Sequence, residues 1–230
     1  MKVKNVERWG RKMQYLIKSI LAGIMIGIGG TIYLSLDNSI VGAFLFAIGL
    51  FIIVTKGLNL FTGKIGYIFD NDLNYAKEVG ITLIGNFIGT YLVGFMLRYT
   101  RIAGVISEKA QRICTIKLED NIISILILAI FCGILMYLAV NGYKVMKDSF
   151  GKYAGVFLGV IVFILCGFEH CIANMYYFTI ANMWSLKAFG YLAIMILGNT
   201  IGGVLFPLAD KLMNNYTKIL KKLFPPIRMI

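Results

Sequence analysis

Most of the residues able to do chemistry in this chain sit in one stretch, Gly167-Phe168-Glu169-His170-Cys171-Ile172-Ala173-Asn174-Met175. His170 is the single histidine among 230 residues, and it lies with Glu169 and Asn174 deep in an apolar segment. An unperturbed imidazole titrates near pH 6.5 and so exchanges protons under physiological conditions. In a soluble core such a histidine is most simply a structural one, satisfied by neighbouring carbonyls. At mid-membrane depth an ionisable group is costly, and there it marks function. Metal chemistry fares poorly, because one histidine, no HExxH and no clustered cysteines leave too few ligands for zinc. Nucleophilic catalysis lacks support as well. GxSxG is absent, and Glu169 adjoins His170, which on a helix points the two side chains apart. Glu169 is expected instead to accept backbone N–H groups freed by an interrupted helix. No catalytic residue, cofactor or metal is assigned.

The elements that hold this stretch follow from composition. Hydrophobic residues make up 59% of the chain and charged ones 15%, with a mean hydropathy of +0.79. A soluble domain is about 45–50% apolar and about 25% charged, which excludes an ordinary cytosolic enzyme. Disorder is excluded by the same apolar content. What remains is a polytopic all-α membrane protein, a single channel-like domain over residues 1–230. The net charge of +12 would suit nucleic acid, but no basic stripe interleaved with exposed aromatics is present. The cations sit between apolar runs, as cytoplasmic loops require. Cys114, Cys132, Cys166 and Cys171 form no CxxC pair, and three lie in apolar runs as small hydrophobes. Met1 to Lys12 is basic and amphipathic, and the long run after it reads as a retained span rather than a signal peptide.

A span needs about 20 apolar residues. Six regions qualify, at roughly 15–36, 39–69, 79–97, 121–141, 153–185 and 188–210. The second and fifth are too long for one helix and carry polar residues near the middle, Lys56 to Gly63 and Glu169 to Asn174. Two half-spans joined by buried non-helical backbone fit both length and polarity. The loops holding Lys2 to Lys18, Lys64, Lys77, Lys144 to Lys152 and Lys211 to Arg228 are far richer in cations than those holding Arg98 to Lys117 and Lys187. Both termini are therefore expected to be cytoplasmic.

The chain also repeats itself. Ala22-Gly23-Ile24-Met25 recurs as Cys132-Gly133-Ile134-Leu135, and Ile84-Gly85-Asn86-Phe87-Ile88-Gly89 as Leu197-Gly198-Asn199-Thr200-Ile201-Gly202. Moved by the same 110 positions that carry residue 22 onto 132, Leu60-Phe61-Thr62-Gly63 lands on His170-Cys171-Ile172-Ala173. Two three-span halves, about 15–97 and 121–210, are thus in register. An odd number of spans per half makes them enter the membrane in opposite senses, as an inverted repeat. The pairs Gly23/Gly27, Gly85/Gly89, Gly155/Gly159 and Gly198/Gly202 have the spacing of close helix packing.

Gly167 to Met175 resembles the signature of the formate/nitrite transporter family, and Leu60-Phe61-Thr62-Gly63 resembles that family's first-break motif. The likeness runs over all six regions. It implies an aquaporin-like protomer with broken helices two and five, a homopentamer in the cell membrane, and one anion pathway per protomer. It further implies that His170 is the central pore histidine and Thr62 its partner, with Lys117 facing the anion and Glu169 and Asn174 on the pathway. Phe46, Leu50, Phe61 and Phe163 match the hydrophobic constrictions. Two positions depart from the family's pattern, Asn59 in place of an acidic residue and Gly133 in place of an asparagine. Gly133 is expected to widen or depolarise the pathway, and the two departures together move weight toward the hydrosulfide branch.

The implied function is a channel for small monovalent anions of weak acids, formate, nitrite or hydrosulfide. A bare anion in an apolar constriction would cost on the order of tens of kcal/mol, and neutralisation at His170 together with the field of Lys117 would lower that. An aquaporin-like channel for neutral solutes is the alternative, but paired Asn-Pro-Ala motifs are absent. A membrane hydrolase lacks a nucleophile, and a scaffold leaves the interrupted spans without a reason.

Overall fold

The computed structural model describes the backbone of residues 2–223 and the side chains of residue 10 and of 12–216. The basic side chains of Lys2, Lys4, Arg8, Arg11, Lys218, Lys221, Lys222 and Arg228 lie outside the described residues. Every described element is helical: α1 (Lys2–Leu34), α2 (Ser39–Phe46), α3 (Ile48–Thr55), α4 (Phe61–Lys64) with a 3-10 turn over Ile65–Asp70, α5 (Leu73–Leu97), α6 (Ala103–Glu119), α7 (Ile122–Val145), α8 (Ser149–Leu165), α9 (Cys171–Ile180) and α10 (Leu186–Leu223). Four stretches are long and apolar enough to cross a membrane, Lys12–Leu34, Leu73–Leu97, Ile122–Val145 and Leu186–Tyr216, while Ser39–Thr55 and Ser149–Leu165 are shorter apolar helices. Ile, Leu, Phe and Met side chains stand exposed on α1, α2, α5, α7, α8 and α10, including Phe44, Ile84, Phe131 and Leu197. An apolar exterior on helices that also bury an apolar core is the pattern of a bilayer protein.

Helix starts are set by short polar side chains that accept otherwise unpaired N–H groups. Asn38 accepts from Ile40 and Val41 at the start of α2, and Asp148 accepts from Gly151 at the start of α8. Asp72 accepts from Tyr75 to begin α5, and Ser185 from Ala188 to begin α10. The last turns of α3 and α8 close alike. Leu58 donates to Ile53 and Phe168 to Phe163, with Gly57 and Gly167 at φ of 61° and 67° between. That is the Schellman stop, which needs a left-handed residue and so favours glycine.

α1 packs along α5 and α7 along α10. The helices touch so closely that a Cβ on Gly23 would lie 2.3 Å from the Asn86 carbonyl oxygen, and one on Gly133 2.4 Å from that of Asn199. Gly133 is therefore a packing position between α7 and α10, which corrects its reading as a residue that widens the pathway. Of the expected glycine pairs, Gly155 meets nothing within 4 Å, whereas Gly159 abuts Ala139.

The segment after α5, treated in the sequence as a charged loop, forms α6. Ile106, Ala110 and Cys114 recur every fourth residue and are fully buried, while Glu108 and Arg112 pair on the outer face. A stripe this narrow carries too little apolar length to register as a span. From α6, Lys109 donates to the carbonyls of Tyr33 and Leu36. The ammonium thus satisfies acceptors at the C-terminal end of α1, where a cation is favoured. Burial pushes this lysine below its ordinary value, with Asp37 opposing the shift.

Candidate functional site

Between α3 and α4, and again between α8 and α9, the chain leaves helical geometry for five residues, the last two of which, Asn59 and Leu60 or Glu169 and His170, are buried. Such backbone needs partners that water cannot supply. One asparagine supplies them in each case. Asn86, fully buried on α5, accepts from the Phe61 N–H at 2.9 Å and donates to the carbonyls of Ser19 and Asn59 at 2.7 and 2.8 Å. Asn199, fully buried on α10, accepts from the Cys171 N–H at 2.9 Å and donates to the carbonyls of Ala129 and Glu169 at 2.8 and 2.7 Å. Each amide thus ties one interruption to two long helices. The sequence reading used both asparagines only as markers of the repeat. A buried amide recurring at matching positions in two apolar runs was the signal that could have shown their role.

The two interruptions meet at Thr62 and His170, whose Oγ1 and Nε2 lie 3.0 Å apart. His170 caps α9 through Nδ1, which accepts from the Ala173 N–H at 3.1 Å. A nitrogen that accepts carries no proton, so the imidazole is the neutral tautomer with its hydrogen on Nε2, donating to Thr62 Oγ1. Both side chains are buried.

Glu169 does not take backbone N–H groups, contrary to expectation. Its Oε2 accepts from Lys117 Nζ at 2.6 Å and from Asn174 Nδ2 at 2.8 Å. The freed amides are served by Asn86, Asn199 and His170 instead, which leaves the carboxylate to pair with the one cation α6 brings to it. Lys117 is 12% exposed and Glu169 3%. At that depth the pair is worth keeping only with supporting hydrogen bonds, and Asn174 provides one. Asn174 also donates to the His170 carbonyl, and its Oδ1 is buried with no hydrogen-bond partner.

His170, Glu169, Asn174 and Lys117 line one cavity of about 240 Å³ together with Phe163, Tyr33 and Tyr177. The Phe163 ring lies 5.4 Å from that of His170, and Phe46 meets Phe163 edge-on at 5.9 Å. Of the apolar residues singled out in the sequence, Phe163 alone lines this cavity; Phe46, Leu50 and Phe61 are buried in the core beside it. Tyr33 and Tyr177 were not singled out, since tyrosines in apolar helices carry no positional mark of their own. Among the described residues no three His, Cys, Asp or Glu side chains are grouped to hold a metal.

This geometry sits in a chain whose residues 2–209 match the family described as formate/nitrite transporter. A formate-nitrite transporter of Plasmodium knowlesi is 30% identical over 231 residues, covering 84% of this chain and 74% of that protein. A formate channel of Bacillus thuringiensis is 28% identical over 186 residues, covering 73% and 70%. Among solved structures, a pentameric formate channel with formate bound superposes with a TM-score of 0.74 at 23% identity, over 89% of this chain and 97% of that one. The all-helical fold is that of these channels, and the chain, an integral membrane protein, belongs to the formate/nitrite transporter family.

Proposed function

We propose that this protein is a channel for small monovalent anions of weak acids, formate, nitrite or hydrosulfide, and that solute passes between the two interruptions at Thr62 and His170. The observation that carries this reading is the 3.0 Å contact between those residues. It joins the first turn of α4 to the N-cap of α9, each start held by its own asparagine, with both side chains almost fully buried. In this reading the six apolar regions form two inverted three-span halves, the second and fifth span each broken. The protomer is aquaporin-like and five copies assemble in the cell membrane with both termini cytoplasmic. The matching caps, glycines and asparagines of the two halves support the repeat. The pentameric channel of the same fold supports the assembly.

His170 acts first as a donor, from Nε2–H to an anion that displaces the threonine. To hand over the proton itself, the ring must take one up at Nδ1, and that requires the Ala173 N–H contact to open. Neutralisation at His170 is thereby coupled to loosening of the first turn of α9. As the neutral acid, the solute passes Phe163 at far lower desolvation cost. Lys117 lines the same cavity, and an entering anion competes with Glu169 for its ammonium.

The test is flux into proteoliposomes of formate, nitrite, hydrosulfide and chloride at pH 5.5 and 7.5, with His170→Phe alongside. Selective flux of the weak-acid anions, greater at the lower pH and lost in the variant, is the expected result. Equal flux in the variant, or flux of none of these anions, removes His170 as the selectivity centre.

A further inference from the structure

A second cavity, of about 210 Å³, lies under the first interruption and is lined by Asn59, Leu60, Gly63, Lys64, Tyr143 and Lys144 among others. It is the counterpart of the cavity at His170, since Gly57, Asn59, Leu60, Gly63 and Lys64 correspond in the repeat to Gly167, Glu169, His170, Ala173 and Asn174. The charge balance differs. At the second interruption one lysine is cancelled by Glu169 at 2.6 Å. At the first, asparagine stands where that glutamate would be, two lysines line the wall, and no carboxylate does.

Among the described residues neither ammonium forms an ion pair, and Glu78 acts on Lys64 only from beyond ion-pair distance. The ammonium of Lys64 lies 5.1 Å and 5.7 Å from the ring centroids of Tyr15 and Tyr75, and that of Lys144 3.9 Å from the ring of Tyr67. Rings hold and orient a cation without cancelling its charge. The adjoining cavity, of about 790 Å³, shares Asn59 and holds Lys12, Lys18 and Lys77 with Glu78 as its one carboxylate. Positive charge therefore prevails on this whole side. Asn59 gives its amide N–H to the Tyr15 carbonyl, and its side-chain oxygen remains available to accept.

We infer that this cavity is a binding site for a dianionic phosphate group, held between Lys64 and Lys144, and that its occupation closes this end of the protein to smaller anions. One dianion balances two ammoniums, whereas a monovalent anion leaves one charge over. A hydrogen phosphate also carries the O–H that Asn59 can accept. The volume suits phosphate with a few waters, since a water takes about 30 Å³ of liquid volume. The closing effect rests on the channel reading above; the binding does not.

The experiment measures both separately. Purified protein in neutral detergent is titrated with inorganic phosphate by calorimetry at constant ionic strength, with chloride as the control. Saturable binding of phosphate and none of chloride is expected. Lys64→Gln and Lys144→Gln each weaken it about tenfold, the loss of one charge-assisted hydrogen bond, while Lys144→Arg and the exposed Lys187→Gln retain it. No saturable binding, binding in either glutamine variant as tight as in the native protein, or loss in Lys187→Gln overturns the assignment. In neutral-lipid proteoliposomes, phosphate on the Lys144 side is expected to slow formate flux in the native protein and not in Lys64→Gln. Slowing by phosphatidic acid in the bilayer without free phosphate identifies a lipid headgroup as the source of the same chemistry. Binding with the expected variant pattern but no formate flux under any condition leaves the phosphate site standing and removes the transport reading.

Discussion

The interruptions at Lys56–Leu60 and Cys166–His170 share a frame and differ in charge. Each follows a Schellman stop at a left-handed glycine, each is tied by one buried asparagine, and each opens on a cavity. The frame repeats because backbone satisfaction has few solutions in an apolar surrounding. The side chains diverge because nothing in that frame requires a carboxylate, a histidine or a lysine. At the second interruption the chain spends Glu169 on cancelling Lys117 and presents the neutral ring of His170. At the first it presents Thr62 and leaves two lysines uncancelled. Architecture common to both is thus separable from chemistry particular to each, and substitutions can test where the line runs.

The largest effect is expected from the frame. Asn199→Ala strands the Cys171 N–H and the Glu169 carbonyl in the core, at about 1–3 kcal/mol for each unsatisfied group, while the Ala129 carbonyl keeps its helical bond within α7. Asn86→Ala should do the same at Phe61, so thermal unfolding in detergent should fall by similar amounts in the two variants. A large loss in one and none in the other would break the equivalence. Next comes Glu169→Gln, which leaves Lys117 facing a neutral amide. Breaking a buried pair costs about 3–5 kcal/mol, and at 12% exposure Lys117 can relieve part of that by moving outward. Asn59→Ala, at the corresponding position, removes one donor from a Tyr15 carbonyl that Ser19 Oγ still bonds, and is expected to cost less. Gly23→Ala and Gly133→Ala each drive a methyl into a backbone carbonyl, which overpacking places at about 1–3 kcal/mol. Thr62→Val removes the acceptor for His170 Nε2–H at about 1 kcal/mol or slightly more. It should also shift the pH dependence of flux, a readout that lost packing alone would not move.

The smallest effect concerns the helix starts. The Tyr75 N–H, then the Asn74 side chain, hold the Asp72 carboxylate below its ordinary value. Its stabilisation is present above the unfolded carboxylate value, near pH 4, and is lost as pH falls through the lower folded value. Ser185, which starts α10, has no charge to lose. Amide exchange at residues 73–76 should therefore quicken between pH 7 and pH 3 relative to residues 186–189, once corrected for intrinsic rates. Asp72→Asn should abolish the difference.

Composition, the repeat and the two short motifs were enough to read a helical membrane protein of this family. His170 and Glu169 also stood out as ionisable groups in an apolar run, whereas Thr62 and Lys117 were reached only through the resemblance to the family. Other features lacked that contrast. Asn86 and Asn199 looked like repeat markers, since sequence does not say which backbone groups a side chain will meet. Gly133 was misread for the same reason: its contact is the carbonyl of Asn199, some 66 positions away from 133 to 199. α6 was taken for a loop because its buried stripe is three small or medium residues long. The partner of Glu169 depended on α6, so that contact was hidden as well.

The bonds of Asn86 carry a further consequence for the order of assembly. Its partners Ser19, Asn59 and Phe61 all precede it in the chain, and synthesis proceeds from the N-terminus. The first interruption can therefore be tied down while the ribosome is still making α6. Asn199 likewise waits only for residues already made, Ala129, Glu169 and Cys171. The Thr62–His170 contact, 108 residues apart, cannot form until most of the chain exists. Asn86 thus meets its own segment before Asn199 has been made, and the timetable of translation favours the pairing of each asparagine with the interruption of its own half.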